Sequence, residues 1–254
     1  MSKVVFIGAG PGDPELITLK GKRYLEQADV AIYAGSLLNP EILKYAKKGA
    51  KLYDSAKMSL PEVLNVMAEG VKAGLLVARV HDGDPSFYGA IQEQMDFLDK
   101  EKIEYFRIPG VSCLQGGAGA LNRELTLPNI SQTVIITRPE GRTPVPEAES
   151  ISKLAAHQAT MVIFLGTPHI AKVVEELQKG GYPKDTPAQV VYKATWPEQK
   201  IVKGTLNDIV AKVKAAGITE TALIFVGRVL NPQAYDLSKL YDPRFTTGFR
   251  KGEQ

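Results

Sequence analysis

The sequence predicts an α/β protein of two domains, the first built on a parallel sheet and the second on a mixed one. Three observations predict it. In the first half, short β-branched runs alternate with helical stretches, the rhythm of a parallel sheet with helices on its faces. Around 122–131, a segment containing Pro128 breaks that rhythm. Beyond the break, the runs 188–192 and 200–204 face each other across a turn at Trp196-Pro197, a pairing that is antiparallel. The expected organisation is a first domain over 1–121, a linker over 122–132, a second domain over 133–232 and an irregular or partly disordered tail over 233–254.

Taken in order, 3–8 is a short buried strand and 15–27 a helix with Leu16, Leu19 and Leu25 toward one side. A strand over 29–34, a helix over 40–47 and a strand over 50–53 follow. Ser59 caps a helix running to about 72, with Pro61 in its first turn and Glu62 completing a capping-box pattern. The run 75–80 is apolar apart from Arg79, as a central parallel strand should be. A helix over 86–100, a strand over 104–108 and a small-residue helix over 112–121 complete the first domain. The second domain offers strands at 133–137, 160–165, 188–192, 200–204 and 222–226, and helices at 150–156, 170–179 and 206–215.

Bulk properties narrow the class. The 254 residues are 44% hydrophobic and 23% charged, ordinary for a globular protein, and no apolar run approaches a membrane span. Met1-Ser2-Lys3 leads directly into a strand, so no signal peptide is expected and the cytoplasm is the default location. Cys113 is the only cysteine, which excludes an intramolecular disulfide and a cysteine-based zinc site. His81, His157 and His169 have no metal-ligand spacing, and no metal site is expected. A net charge of +3 with no long basic run gives no sign of nucleic acid.

Chemistry is expected at strand ends. Gly8-Ala9-Gly10-Pro11-Gly12-Asp13-Pro14 follows the first strand. It fails as a dinucleotide fingerprint: the sixth position is Asp13 rather than glycine, and the second strand, Val30-Ala31-Ile32-Tyr33-Ala34-Gly35, has no acid to hold a ribose. Asp13 would repel a pyrophosphate but suits an N-cap. A common methyltransferase loop led by an acid fails too, because the leading position is Phe6. Asp82-Gly83-Asp84-Pro85-Ser86-Phe87-Tyr88-Gly89 and Ile108-Pro109-Gly110-Val111-Ser112-Cys113 form two further strand-to-helix loops. Pro85 holds Asp84 in an extended turn, where its carboxylate suits a ribose hydroxyl, an amine or the cap of the next helix. His81 reads as a satisfied strand-end histidine. Arg138, Glu140 and Arg142 lie on the loop after the first strand of the second domain, and arginine forks there would recognise substrate carboxylates. Arg79, Arg107, Arg123, Lys193 and Arg228 lie near other strand ends and would suit a polyanionic small molecule. Trp196 has two readings, packing or stacking on a flat ligand, of which packing is favoured.

Together these segments resemble the tetrapyrrole methylase family. The residues that carry the resemblance are the fourteen from Gly8 to Gly21, then Gly83-Asp84-Pro85 and Pro109-Gly110-Val111-Ser112, and in the second domain Val162-Ile163-Phe164-Leu165 and Ala222-Leu223-Ile224-Phe225-Val226-Gly227. The likeness runs from about 3 to 232. Within the family, Tyr33-Ala34-Gly35-Ser36-Leu37, the run from Thr137 to Pro146, and Val191-Tyr192-Lys193-Ala194-Thr195-Trp196-Pro197 look like the branch acting on precorrin-4 or cobalt-precorrin-4 at C-11.

The resemblance implies S-adenosylmethionine as methyl donor, a tetrapyrrole substrate of cobalamin biosynthesis, a homodimer, and a cofactor held in a cleft between the domains. Cofactor positions carry over as Pro11, Asp82, Gly83, Asp84, Phe87, Ser112, Cys113, Leu165, Ala194 and Ala222, many through main-chain groups. Asp13, Arg138, Arg142 and Lys193 fall on the substrate side. The uroporphyrinogen branch has an aspartate after the tyrosine of the second strand, proposed there as a base; here that position is Ala34, and no catalytic base is assigned. Rival readings are another transferase of the family acting on uroporphyrinogen, rRNA or a modified protein residue, a nicotinamide-binding oxidoreductase, and a non-catalytic nucleotide-binding module.

Overall fold

The structure is a computed structural model and describes residues 2–253. Two compact units divide the chain: Met1–Gly117 with Lys193–Gln199, and Ala118–Tyr192 with Lys200–Gln254.

The first unit is a parallel sheet of β1 (Lys3–Gly8), β2 (Val30–Tyr33), β3 (Lys51–Asp54), β4 (Leu76–His81) and β5 (Tyr105–Ile108) in the order β3-β2-β4-β1-β5. Both faces are covered. Helix α1 (Leu19–Gln27) packs on one through Leu25, beside Val5, Ile7, Ala78 and Val80. Helices α2 (Leu60–Lys72) and α3 (Gln92–Lys100) cover the other through Val63, Met67, Met95 and Leu98, against Val4, Phe6 and Val77. Helix α4 (Cys113–Leu121) follows β5. The order has a consequence for ligands. The chain leaves β1 toward the α1 face and leaves β4 toward the α3 face, so adjacent strands send their loops to opposite sides. That is a topological switch point, where open α/β sheets bind ligands.

The second unit is a mixed sheet of β6 (Val134–Thr137), β7 (Thr160–Ile163), β8 (Pro187–Tyr192), β9 (Lys200–Thr205) and β10 (Ala222–Val226), in the order β6-β7-β10-β8-β9. Strands β6 and β7 are parallel, and β10 runs antiparallel to both β7 and β8. The antiparallel pair expected around Trp196 is β8 with β9. Helices α5 (Ile151–Ala155), α6 (Ile170–Lys179) and α7 (Ile209–Ala215) bury Ile151, Val173, Leu177, Ile209 and Val213 in one core with Met161, Ile163, Val190 and Ile224. No helix among the described residues is long and apolar enough to cross a membrane.

Some helices begin later than the sequence suggested. The stretch 15–27 is broken: a 3-10 turn, Pro14–Leu16, is capped by Asp13, and α1 starts only after the extended Thr18, whose hydroxyl accepts the Gly21 N–H at 3.1 Å. Leu19 is consequently on the surface. The stretch 86–100 is helical only from Gln92, because Tyr88 (φ 57°) and Ala90 (φ 46°) are left-handed and cannot belong to a right-handed helix. Residues 40–45 form 3-10 turns rather than an α-helix. In the tail, the Arg250 guanidinium donates to the carbonyls of Leu240, Asp242 and Phe245.

Candidate functional site

Three loops of the first unit meet at the carboxyl ends of β1, β4 and β5. The Ala9 N–H donates to the His81 carbonyl at 2.8 Å, and Gly10 and Gly83 exchange N–H···O bonds of 3.3 and 2.8 Å. The third loop joins through the Gly110 N–H, which donates to Asp84 Oδ2 at 2.8 Å. The junction is backbone on backbone: a Cβ on Gly8 would lie 2.6 Å from Gly110 N and 2.7 Å from the Gly83 carbonyl.

This geometry explains why the first loop is not a phosphate cradle. Such a cradle needs free N–H groups at a helix start. Here Ala9 and Gly10 donate to the β4 loop, Asp13 donates to Thr195 Oγ1 at 2.9 Å, and Glu15 donates to Asp13 Oδ1 at 2.8 Å. Asp13 is the N-cap its position suggested, and Pro11 and Pro14 have no N–H to offer.

Around the junction the titratable groups diverge. Both Asp84 oxygens accept backbone N–H bonds, Oδ1 from Ser86 and Oδ2 from Gly110, each at 2.8 Å. Burial opposes the Asp84 charge, but hydrogen bonds from Ser86 and Gly110 and the nearby Arg107 outweigh it and hold the pKa below the ordinary value. Asp82, two residues earlier, has its pKa raised by burial. Burial, with the Asp82 charge, pushes the Cys113 thiol up to about 12, so it is not a nucleophile at neutral pH. Ser112 is buried, with its Oγ accepting the Leu114 N–H, and Phe87 and Tyr88 remain exposed on the rim of the β4 loop.

Two expectations are corrected here. His81 is not satisfied: it is 4% exposed, its Nε2 has no hydrogen-bond partner among the described residues, and burial together with Arg79 lowers its pKa to about 3. Arg79 is no ligand group, being buried with Nε bonded to Gln94 Oε1 and Nη1 to the Ile32 carbonyl. Ala34, just past β2, donates its N–H to Val80 and offers no carboxylate.

Residues 193–199 form part of the same unit. The Trp196 indole donates from Nε1 to the Pro11 carbonyl at 3.0 Å, and Lys193 Nζ lies 4.7 Å from the indole centroid. Ala194 is buried beside Gly12. Trp196 therefore packs on the first loop, a contact between residues 185 positions apart that no local pattern signals.

In the second unit, one end of the sheet gathers Arg138 after β6, Leu165 after β7 and Ala222 at the start of β10. Leu165 is 59% exposed and left-handed at φ 53°, an uncommon conformation for a bulky apolar side chain. Thr167 Oγ1 bonds the Ala222 carbonyl at 3.3 Å and fixes that turn. The Arg138 guanidinium donates to the carbonyls of Pro139, Thr143 and Pro144, so it shapes its own loop, while Arg142 is exposed. Arg123 likewise bonds the Leu230 carbonyl.

The sequence pattern of the Tetrapyrrole (Corrin/Porphyrin) Methylases matches residues 3–210. The chain belongs to this family. A relative named cobalt-precorrin-4 C(11)-methyltransferase, from Methanocaldococcus jannaschii, is 58% identical over 252 residues, covering 99% of this chain and 97% of that protein. The X-ray structure of a cobalamin biosynthetic enzyme, cobalt precorrin-4 methyltransferase, superimposes with a TM-score of 0.89 at 45% identity, over 91% of this chain and 97% of that one. The uroporphyrin-III C-methyl transferase of Thermus thermophilus, complexed with S-adenosyl homocysteine, gives a TM-score of 0.77 at 26% identity, over 92% of this chain and 96% of that one. Family membership accounts for the fourteen-residue run from Gly8 to Gly21, in which Asp13 and Pro14 form a capped turn rather than a nucleotide fingerprint.

Proposed function

We propose that the protein transfers a methyl group from S-adenosylmethionine to C-11 of cobalt-precorrin-4 or precorrin-4, a step of cobalamin biosynthesis. The observation that carries this reading is a likeness over nearly the whole chain, in sequence and in fold, to proteins named for that reaction.

The residues present fit the donor. The switch-point junction presents backbone rather than bulky side chains, and the exposed, left-handed Leu165 is the kind of strained, surface-held group that ligand sites stabilise. We assign Pro11, Asp82, Gly83, Asp84, Phe87, Ser112, Cys113, Leu165, Ala194 and Ala222 to hold it, with Cys113 and Leu165 acting through their main chain. When bound, S-adenosylmethionine supplies an electrophilic methyl on a sulfonium. Asp82, its charge disfavoured by burial, gains from a nearby cation, because opposite charge lowers a carboxyl pKa. With alanine at position 34 the chain offers no carboxylate there, and its contribution is alignment of the two reacting atoms and exclusion of water. Lys193 and Arg142 are assigned to the substrate's carboxylates, and Asp13 to the substrate side without a carboxylate contact. Arg138 acts on the same side by holding its loop.

The test is turnover with methyl-labelled S-adenosylmethionine and precorrin-4, with and without cobalt, and mass analysis of the product. One label at C-11 is expected, and the two arms identify the natural metal state. No label in either tetrapyrrole would reject the assignment. We further infer a homodimer from the family resemblance, with the cytoplasm as the default location; sedimentation at a single protomer mass would reject the dimer.

A further inference from the structure

The first loop is held from outside its own sequence neighbourhood. At consecutive positions Trp196 Nε1 donates to the Pro11 carbonyl at 3.0 Å, and the Thr195 hydroxyl accepts the Asp13 N–H at 2.9 Å. Between those ties lies Gly12. A Cβ there would run into Cδ1 and Nε1 of Trp196 and come within 2.9 Å of the Ala194 carbonyl, while the backbone of Gly12 is not left-handed. This glycine therefore makes room for the indole and not for a ligand. From the opposite direction, Asn39 Nδ2 donates to the Gly12 carbonyl at 2.8 Å.

The gripping segment is itself strained. Lys193 and Thr195 are left-handed at φ 44° and 70°, and a β-branched residue there is an outlier. Such conformations persist where surroundings over-determine them, and they cluster at functional sites. Here Thr195 N is bonded to Gln199 Oε1 at 2.7 Å and Trp196 N to the Lys193 carbonyl at 3.0 Å. Trp196 belongs to neither hydrophobic core of its unit. Its indole instead bears on the loop that ends β1 at the switch point.

We infer that Trp196 is a positioning residue for methyl transfer: through Pro11 and Gly12 it holds the first loop in the geometry that the transfer requires, with Thr195 as the second tie. The inference rests on the proposed methyltransferase reading. It assigns Trp196 a role chiefly in alignment, with only a small effect on affinity through Pro11 and none on the stability of the core.

The test is Trp196→Phe, which keeps an aromatic ring and removes the N–H. Expected are a melting temperature within a few degrees of the parent, S-adenosylhomocysteine affinity within about threefold, and a kcat lowered roughly ten- to a hundredfold, the size of effect that a misplacement of about 1 Å produces. An unchanged kcat, a kcat loss matched by loss of folded protein, or an affinity loss as large as the kcat loss would each overturn it. Gly12→Ala supplies the second measurement. It should lower melting temperature and kcat in the parent and cost clearly less in Trp196→Ala, where the indole it would strike is gone and only the Ala194 carbonyl remains within 3 Å. Independent, multiplicative losses would overturn the contact as the cause. If the wild-type enzyme methylates no tetrapyrrole, the proposed function fails instead; the hold on the loop is then still read from the coupling of the two melting temperatures.

Discussion

Asp82 and Asp84 flank a single glycine, yet folding moves their titrations in opposite directions, and stability should follow. Asp84 is lowered from its ordinary value of 3.8. The stability it contributes is therefore complete above that value and is lost as pH falls through the lowered native pKa. Asp82 is raised from 3.8 by burial. Its native state holds the proton to higher pH than the unfolded chain, so stability declines as pH rises from 3.8 and the cost is complete only above the native pKa. Thermal melts over a pH series should accordingly separate two isosteric variants. Asp84→Asn lowers the melting temperature at pH 7 and converges with the parent in acid. Asp82→Asn raises it at pH 7, and that gain vanishes in acid. The same sign for both at pH 7 would contradict the account. The acids themselves were legible in the sequence. Their opposite environments were not, because beside the local hydrogen bonds of Ser86, Asp84 depends on the Gly110 N–H and on Arg107, more than twenty positions away.

Helices in this chain start where a side chain or a backbone conformation allows it. The hydroxyl of Thr18 satisfies one of the donors left open at the start of α1. Thr18→Ala should cost about 1 kcal/mol in urea denaturation, and Thr18→Ser should retain most of it. Equal losses for both would place the effect in the methyl group instead. The parallel first sheet follows from apolar runs and short loops that the sequence displays directly, while the order of its strands is read only from the fold. The late start of α3 does not, since nothing in the periodicity of 86–91 forbids a helix. Only the left-handed Tyr88 and Ala90, held by their surroundings, exclude it.

The first unit is not a continuous stretch of sequence. It includes residues 193–199 as well as 1–117. A fragment of residues 1–117 would lack Thr195 and Trp196 and would leave the Pro11 carbonyl and the Asp13 N–H without their partners. Followed by circular dichroism, it should melt at a lower temperature and less cooperatively than the intact chain. An equally sharp transition at the same temperature would show that the 193–199 segment contributes nothing to the unit's stability. Length and composition suggest two domains, but no local signal shows that a turn of one sheet supplies part of the other unit.

The sequence by itself determined the α/β class, the parallel and mixed sheets, the three loops at strand ends and the family resemblance, because each is written in short-range periodicity and in runs of specific residues. Only the tertiary structure decided what those loops are made for. Whether a glycine admits a ligand or an indole, whether an arginine faces substrate or its own carbonyls, and whether a buried histidine finds a partner all depend on atoms far away in the chain. Hydrogen bonds and close packing act over a few ångströms of space, whatever the separation in sequence. Gly12 shows the difference most directly: as sequence it reads as part of a binding motif, and in the fold it is the surface on which Trp196 rests.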